Sequence, residues 1–467
     1  MKILFYVEPH PMRDSFTSHS QPYKIFLNIC RQLKLEKNQE DFEDIDVRVF
    51  SNHVLQELRF TENLDMWPLI LTPNSSEQGD IEEMATLWLP NGIKDWLDLS
   101  QNPEAIITKF YMGILDRIKR EDFDFDVIVS WGQNQAVKTF AETNNIQTVY
   151  FELSSMRPPF PRALLMDPIG VNGAASSTYV DVADLHSFID APPVNVIFTA
   201  LNDEFHQTKQ NSNLFMSKFH PIDMPTFDSS KPVALIPLQL ADDANLLLYS
   251  DFNSIEEFTE HAITLLSEEG WNILIKPHPH AYLRGGYVEH AQQKVIKKYE
   301  NVNNVRIMHN EVLDGEYLSL LSNVDLIVTN NSSVGFEGLL CGTQCVTLGR
   351  SCYSLKNGLP TISEYLLSDD EAKAKYSTNA SAIVTYMLSF MFPLERKIAH
   401  QLVSRIKLWK TLSPPPFGDS AQWVKQNLEQ LGWSTWHDQN IAKTYFMKSD
   451  HEETSSSAIT ISELGNA

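Results

Sequence analysis

The stretch DLIVTNNSSVGFEGLLCGTQCVTLG, residues 325–349, contains a complete strand–helix–strand unit and decides the fold class. Residues 325–330 form an apolar run that predicts a buried strand, and residues 345–349 predict a second one. Between them, residues 333–341 predict a short helix that ends at Gly342. A strand, a helix and a second strand in this order indicate parallel neighbours in one sheet that is covered by helices.

The same alternation continues on both sides of this stretch. It restarts at 233–239, and a first, separate series begins at the N-terminus. The predicted strands are 2–7, 45–50, 126–131, 147–153, 233–239, 272–277, 305–308, 325–330 and 345–349. The predicted helices are 22–35, 102–119, 133–143, 254–268, 286–299, 315–322 and 333–341. The fold class is therefore predicted as α/β, with two Rossmann-like, doubly wound domains whose strand ends face a cleft.

Composition places the domain boundaries. The segment HPIDMPTFDSSKP (220–232) is rich in Pro, Asp and Ser and predicts a linker. Beyond residue 368 the pattern is mostly helical, and from Lys448 it is rich in Ser and Glu. We predict four segments: an N-terminal domain over 1–225, a C-terminal domain over 226–395, helices packing on the body over 396–447, and a disordered tail over 448–467.

Charge and targeting signals exclude several classes of protein. The 467 residues include 37 Lys and Arg and 60 Asp and Glu, a net charge of −23, which argues against a nucleic-acid binder. The start, MKILFYVEPHP, is too short an apolar run for a secretory signal, and no run of about 18 apolar residues occurs. A cytoplasmic protein with at most peripheral membrane association is expected. The four cysteines, interpreted as buried free thiols, are Cys30, Cys341, Cys345 and Cys352.

The clearest candidate site follows the strand that ends at Asn330. Ser332 or Ser333 begins a helix there, and free N–H groups with two hydroxyls suit a phosphate. Gly335 permits close approach of a ligand or of a neighbouring strand. Glu337, one turn into the helix, could reach a ribose or base. An ordinary serine N-cap on a buried helix and a solvated surface glutamate explain the same residues.

Three further motifs also follow predicted strands. In IKPHPH (275–280), Lys276 and His278 could bind a phosphate or protonate a leaving group, although histidines that only cap the backbone fit equally. A metal pair of His278 and His280 is disfavoured, because no carboxylate or cysteine lies nearby in sequence.

The other two motifs carry carboxylates. In IPLQLADDAN (236–245), Gln239 and one acid of the pair Asp242–Asp243 would point into the cleft, because adjacent residues diverge. A cleft carboxylate can act as nucleophile or general base, whereas an acidic turn with an N-cap is the alternative. In YFELSSMRPPF (150–160), Glu152 ends a strand and Arg157 precedes two prolines. A structural ion pair between them is equally compatible.

In this order the four motifs resemble those of the retaining β-Kdo glycosyltransferases of bacterial capsule and lipopolysaccharide O-antigen assembly. The resemblance covers roughly residues 126–360. Its motifs are Glu152…Arg157, Gln239-Leu240-Ala241-Asp242-Asp243, Lys276-Pro277-His278-Pro279, Ser332-Ser333-Val334-Gly335-Phe336-Glu337, Gly349-Arg350-Ser351-Cys352-Tyr353 and Gly358-Leu359. Glu152 is followed by Leu-Ser-Ser rather than Asp-Gly, which leans toward the O-antigen enzymes and leaves the acceptor open.

The resemblance implies a GT-B architecture, CMP-β-Kdo as the donor, and transfer with retention to an oligosaccharide or lipid-linked glycan. It implies no metal cofactor, an acceptor side in the first domain and a donor side in the second. Action at the inner face of the inner membrane is compatible with it.

The resemblance also implies roles for individual residues. It makes Asp243 the nucleophile and Glu152 the acid/base group, and Arg157 a ligand of Kdo or the acceptor. Asp242 is expected to face away and cap the next segment. The expected donor site, in which His278 also assists the leaving group, consists of Gln239, Lys276, His278, Ser332, Ser333, Gly335 and Glu337.

Three alternatives remain open at this point. One is a GT-B transferase that uses CMP-sialic acid or a UDP- or GDP-hexose. A second is a non-hydrolysing sugar-nucleotide epimerase, which would work without an acceptor. The third is a non-catalytic glycan-binding scaffold, which would have no use for Asp243.

Overall fold

The computed structural model describes residues 1–430 apart from 14, 36–41, 43, 58–68, 86–91, 158, 161–162, 190–193, 195–221, 309–311, 313 and 394–397. The predicted tail at 448–467 and the part of the helical region after residue 430 lie outside the described residues. The strands are β1 (Lys2–Tyr6), β2 (Asp46–Phe50), β3 (Ile70–Leu71), β4 (Val127–Trp131), β5 (Gln147–Leu153), β6 (Ala163–Asp167), β7 (Val233–Pro237), β8 (Asn272–Lys276), β9 (Val305–Ile307), β10 (Leu326–Thr329), β11 (Gln344–Thr347) and β12 (Met391–Pro393).

Helices connect and cover these strands. They are α1 (Ser20–Leu35), α2 (His53–Glu57), α3 (Ser75–Met84), α4 (Ile93–Gln101), α5 (Ile106–Arg117), α6 (Gln135–Asn144), α7 (Val182–His186), α8 (Ala244–Tyr249), α9 (Ile255–Glu268), α10 (Pro279–Arg284), α11 (Gly286–Tyr299), α12 (Asp314–Ser322), α13 (Ser333–Leu340), α14 (Ile362–Leu366), α15 (Asp370–Leu388), α16 (Ile398–Trp409) and α17 (Ser420–Gln430). Among the described residues, no helix is long and apolar enough to cross a bilayer.

The strands form two sheets. The first has the order β12-β6-β5-β4-β1-β2-β3, in which β6 and β12 are antiparallel to their neighbours and the remaining pairs are parallel. The second has the order β11-β10-β7-β8-β9 and is parallel throughout. Two doubly wound sheets followed by C-terminal helices form the GT-B-like architecture that was predicted.

Side chains on both faces of the second sheet are buried, which explains its continuous apolar runs. Leu235, Leu274 and Ile327 pack into a core that also contains residues of the first sheet. The residues on either side of them, such as Ile236 and Ile275, pack into a separate core under the opposite layer of helices. Burying each such side chain contributes about 1.5–3 kcal/mol, so both layers of helices hold the sheet in place.

The predicted helices and strands up to residue 349 are present, with ends shifted by a few residues. The sequence patterns missed β3, β6 and β12, and the last two pair with each other in antiparallel register. This pairing corrects the predicted boundary, because Met391–Pro393, assigned to the domain over 226–395, belongs to the first sheet. A strand of three residues directly after a long helix carries no alternation that a sequence pattern could reveal.

Candidate active site

The strand order of the second sheet reverses between β7 and β10, since the chain adds β8 and β9 on one side and β10 and β11 on the other. Ligands of doubly wound sheets bind outside the carboxyl ends of the strands at such a point. Gln239 follows β7 and Asn331 follows β10, and Gln239 Nε2 donates to Asn331 Oδ1 at 2.9 Å. Within the described chain, the buried Oε1 of Gln239 has no hydrogen-bond donor. A buried acceptor without a partner needs an explanation, and a bound ligand or water at this position would provide one.

Ser332 begins the helix next to this amide pair. It is the N-cap of α13, and its hydroxyl accepts a hydrogen bond from Val334 N–H at 3.3 Å. Ser333, half-buried, is the first residue of the helix. The cap that the sequence suggested is therefore present, and the partial positive charge of the helix start suits an anion. Phosphate binding by Ser332 and Ser333 stays a prediction.

Gly335 lies against protein atoms. A Cβ added at this position would meet the Tyr353 hydroxyl, and it would lie 2.8 Å from Cys345 Sγ. Tyr353 in turn donates from its hydroxyl to the carbonyl of Ser332. Packing of α13 against its neighbours therefore requires glycine here, and a role for Gly335 in donor binding stays a prediction.

Glu337 is 1% exposed, so the alternative of a solvated surface glutamate is wrong. Its Oε1 accepts from the backbone N–H of Arg157 at 2.9 Å, and its Oε2 accepts from the Tyr317 hydroxyl. Burial raises the pKa of Glu337 to about 7, against the opposing effects of the Tyr317 hydrogen bond and of the nearby Arg157 and Lys276. Glu337 thus joins the second sheet to the loop that follows β5.

Lys276 and His278 follow β8. Burial lowers the pKa of Lys276, whose Nζ lies 5.5 Å from the centre of the Tyr317 ring. His278 is the N-cap of α10, and its Nδ1 accepts from His280 N–H at 3.1 Å. Burial and neighbouring positive charges lower the pKa of His278 to about 3, so the imidazole is neutral at pH 7. With Nδ1 as an acceptor, the single proton is on Nε2, which makes that nitrogen a donor.

The adjacent acids Asp242 and Asp243 have different partners. Asp243 is the N-cap of α8, and its Oδ1 accepts from Asn245 N–H at 2.8 Å. Asp242 is bound by Arg13 Nε at 2.6 Å and by Arg284 Nη1 at 2.5 Å. The prediction that Asp242 caps the next segment is therefore wrong, because the turn ends one residue later than assumed. Burial raises the pKa of Asp243, and the Asn245 hydrogen bond and the two arginines oppose this effect.

Glu152 and Arg157 come from the first sheet. Glu152 lies at the end of β5, and burial raises its pKa to about 7. Arg157 lowers this pKa and the charge of Asp243 raises it. The guanidinium of Arg157 donates to the carbonyls of Ser154 and Met156. Arg157 is thus fixed by backbone groups, and its assignment to a sugar stays a prediction.

The ionisable side chains singled out in the sequence form one closed ring of electrostatic contacts between the two sheets. In each neighbouring pair, the two side chains bond directly or one of them acts electrostatically on the other. In order, the ring consists of Glu152, Arg157, Glu337, Lys276, His278, Asp242 and Asp243, which is next to Glu152 again; Arg284, which the sequence did not indicate, binds Asp242. The structure therefore brings these predicted residues together in one site.

The sequence analysis missed Arg13, Arg284, Asn331 and Tyr317. Arg13 and Asn331 follow strands, so the rule used for the other motifs could have indicated them. Arg284 ends the short helix that His278 begins, and Tyr317 lies within α12. Neither of these positions carries a local signal of function. In the described part of the chain, no group of three His, Cys, Asp or Glu side chains could hold a metal ion.

Comparison with curated proteins gives partial matches. Protein FixF of Sinorhizobium fredii (strain NBRC 101917 / NGR234) is 26% identical over 259 residues, which are 52% of this chain and 54% of FixF. The capsule polysaccharide modification protein LipB of Neisseria meningitidis serogroup A is 27% identical over 126 residues, 26% of this chain and 29% of LipB. The chain thus spans about half the length of the first relative and less than a third of the second.

Solved structures resemble the chain only distantly. The β-Kdo 2,7 transferase of Thermosulfurimonas dismutans KpsC is 16% identical with a TM-score of 0.35, covering 70% of this chain and 98% of its own. The UDP-GlcNAc 2-epimerase of Methanocaldococcus jannaschii is 15% identical with a TM-score of 0.32, covering 88% of this chain and 100% of its own.

A family model matches the part of the chain that holds most of the site. Residues 204–389 match the model described as capsule polysaccharide biosynthesis protein. This range includes the second sheet with Gln239, Asp243, Lys276, His278 and the helix that Ser332 caps. The half of the candidate site that the second sheet contributes therefore lies in a segment that is similar to capsule polysaccharide biosynthesis proteins.

Proposed function

We propose that the protein is a glycosyltransferase of bacterial surface-polysaccharide assembly that moves Kdo from CMP-β-Kdo to a glycan acceptor with retention of configuration. The resemblance of its four motifs to the retaining β-Kdo transferases supports this proposal. The match of residues 204–389 to capsule polysaccharide biosynthesis proteins supports the pathway. The acceptor, an oligosaccharide or lipid-linked glycan reached at the inner face of the inner membrane, is part of the proposal.

The observation that carries the proposal is the pair of half-buried carboxyl groups at the cleft. Glu152 comes from the first sheet and Asp243 from the second, and the charge of Asp243 raises the pKa of Glu152. Retention by double displacement needs a carboxylate nucleophile and a second group that exchanges a proton. With its pKa raised to about 7, Glu152 can take up and release a proton near neutral pH.

In the first step, a carboxylate oxygen of Asp243 attacks the anomeric carbon of Kdo. A glycosyl ester forms, the bond from this carbon to the phosphate oxygen breaks, and CMP leaves. In the second step the acceptor hydroxyl attacks the same carbon and gives its proton to ionised Glu152, and the Asp243 carboxylate is released. The N–H of Asn245 and the positive charges of Arg284 and Arg13 favour the ionised form of Asp243 that the attack requires.

The phosphate of CMP would lie between β8 and α13. Lys276 supplies a positive charge, and the helix start at Ser332 and Ser333 supplies a partial positive charge and hydroxyl donors. Because His278 is neutral, it contributes a hydrogen bond from Nε2–H rather than a charge. This set of groups neutralises a leaving phosphate without requiring a metal ion, so EDTA is expected to leave the activity intact.

The test is mass spectrometry of products after incubation with CMP-Kdo and a panel of short acceptors. We expect acceptor mass to increase by one Kdo unit. With a poor acceptor, a Kdo-mass adduct should accumulate on the peptide that contains Asp243. An adduct on another residue would reassign the nucleophile, and turnover by Asp243→Asn without any adduct would exclude double displacement.

The same incubation separates the alternative functions. Product from CMP-sialic acid or from a UDP- or GDP-hexose, but not from CMP-Kdo, would identify a different transferase. Conversion of a UDP-sugar without any acceptor would identify an epimerase. Binding of glycans without any turnover, unaffected by Asp243→Asn, would identify a scaffold.

A further inference from the structure

Two arginines from opposite sheets meet on one carboxylate at the cleft. Arg13 lies in the loop after β1 of the first sheet, and Arg284 ends α10 on the second. Arg13 Nε donates to Oδ2 of Asp242 at 2.6 Å, and Arg284 Nη1 donates to Oδ1 at 2.5 Å. The two guanidinium groups thus bind different oxygens of the same carboxylate and are held side by side by it.

The arginine side chains of this cluster are more exposed than the carboxylate that they bind. The side chain of Asp242 is 2% exposed, whereas those of Arg13 and Arg284 are 32% and 31% exposed. The carboxylate of Asp242 therefore lies behind the two guanidinium groups, and both arginine side chains reach the surface. A guanidinium has five N–H donors in a planar fork, and the contact to Asp242 uses one nitrogen of Arg284.

The cluster also lies beside the proposed nucleophile. Arg284 and Arg13 both act electrostatically on Asp243, and Asp242 is its neighbour in the chain. An anionic group attached to the carbon that Asp243 attacks would therefore lie close to the two guanidinium groups. Planar carboxylates are the anions that paired guanidinium N–H groups bind best.

We propose that Arg13 and Arg284, held in place by Asp242, bind the carboxylate of a sugar acid and thereby select acidic sugars over neutral hexoses. This inference rests on the proposed function, in which the transferred sugar is such an acid. Asp242 has the role of a positioning residue, which keeps both arginines at the cleft. Because Arg13 comes from the first sheet, the carboxylate site is complete only when the two sheets face each other as they do here.

The test measures binding of CMP-Kdo and of CMP by calorimetry, in an Asp243→Asn background so that bound donor is not consumed. We expect Arg284→Gln and Arg13→Gln each to weaken CMP-Kdo binding by about tenfold or more, the usual size of a charge-assisted contact. CMP, which lacks the sugar carboxylate, should bind within about twofold of the parent. Arg284→Lys should restore part of the loss. The matched control is Arg120→Gln, since Arg120 is an exposed surface residue paired with Asp116.

A purely structural role for the salt bridges predicts a different result. In that case Asp242→Asn and Arg284→Gln would weaken CMP and CMP-Kdo by the same factor, which would overturn the proposal. Unchanged CMP-Kdo binding in both arginine variants would overturn it as well, unless KM rises for an acidic acceptor and not for a neutral one. That outcome would assign the bound carboxylate to the acceptor instead of the donor.

A panel of other nucleotide sugars separates this inference from the proposed donor. The probes are CMP-N-acetylneuraminate, UDP-glucuronate and UDP-glucose. If the protein ignores CMP-Kdo but binds another acidic sugar in a manner that depends on Arg284, the donor is wrong and the carboxylate site stands. If it binds only the neutral sugar, or binds acidic sugars equally well without the arginines, the inference fails.

Discussion

The two sheets place comparable pairs of polar side chains at the points where their strand orders reverse. In the second sheet, Gln239 after β7 donates to Asn331 after β10. In the first sheet, Asn134 after β4 donates to Glu8 after β1. Asn134 and Asn331 each lie at or next to the residue that caps a helix, so the two pairs have similar positions in their sheets.

The two points differ in the polar group that follows the first strand and in the hydrogen bonds that this group makes. The carboxyl of Glu8, 7% exposed, also accepts from the Tyr6 hydroxyl at 3.5 Å and from His10 N–H at 2.9 Å. Both of its oxygens are therefore occupied by protein donors. Gln239, in contrast, keeps an acceptor without a donor among the described residues, close to Lys276 and His278. The comparison teaches that topology offers one crevice at each reversal of strand order. The side chains there distinguish the two crevices: a carboxyl bonded to protein donors in the first, and an amide beside Lys276 and His278 in the second.

Removing the proposed nucleophile should have the largest effect. Asp243→Asn keeps the shape and the cap of α8, because Asn is as good an N-cap as Asp. We expect turnover to fall by roughly three orders of magnitude or more, while CMP still binds. The matched control is Asp181→Asn, since Asp181 caps α7 with the same side-chain bond to the N–H two residues later. Near-normal turnover by Asp243→Asn would move the catalytic centre away from the second sheet.

The acid/base role of Glu152 should appear in the pH profile. Its pKa is raised to about 7, and the ionised form accepts the proton of the acceptor hydroxyl, so kcat/KM should rise with pH through about 7. Glu152→Gln should lower turnover by about 10²-fold or more and remove this inflection. Measuring kcat/KM between pH 5 and about pH 9 provides the check. An inflection that persists in the variant would belong to another group.

One histidine in each crevice provides the next comparison. His278→Ala should weaken CMP binding by about 1.5–3 kcal/mol, because the hydrogen bond from its neutral imidazole N–H would be accepted by the charged phosphate. His10, whose Nδ1 bonds to the Tyr111 hydroxyl at 3.1 Å, lies in the first crevice. His10→Ala should therefore leave CMP affinity unchanged in calorimetry, whatever its effect on the melting temperature. A loss of CMP affinity in His10→Ala would show that both crevices bind the nucleotide.

The smallest effect on ligand binding should come from Glu8. Burial raises its pKa to about 8, so the folded chain holds a proton that the unfolded chain loses above about pH 4.5. The contribution of Glu8 to the free energy of unfolding therefore falls as the pH rises from about 4.5 to 8. Gln cannot titrate, so Glu8→Gln should gain stability relative to the wild type between those pH values in urea unfolding. CMP affinity should not change; a stability difference independent of pH would mean that Glu8 has an ordinary pKa.

Most of the fold could be predicted from the sequence because buried parallel strands are continuous apolar runs. The segments 233–239 and 325–330 show this directly. β6 escaped prediction, since ALLMD follows a proline-rich stretch and its partner is a three-residue strand far along the chain. Antiparallel pairing between Ala163–Asp167 and Met391–Pro393 depends on contacts that no local pattern encodes.

The site was predictable to the extent that its residues follow strands. That rule indicated Glu152, Gln239 and Lys276. It could not decide between Asp242 and Asp243, because the residue at which the turn ends fixes which acid caps α8. Nor could the rule indicate that Arg284 forms a salt bridge with Asp242, since Arg284 lies on a short helix six residues beyond His278.

Because β12 belongs to the first sheet, the protein cannot be cut into two complete halves between its sheets. Met391–Pro393 covers the outer edge of β6, so the chain passes between the sheets twice. A fragment that ends at residue 225 would present β6, with its apolar side chains and unpaired backbone groups, as an open edge ready to pair with another copy. The first sheet is thus finished by a part of the chain that is synthesised only after the whole second sheet. Separate production of the two halves would need Met391–Pro393 to be supplied in trans or grafted next to Ala163–Asp167.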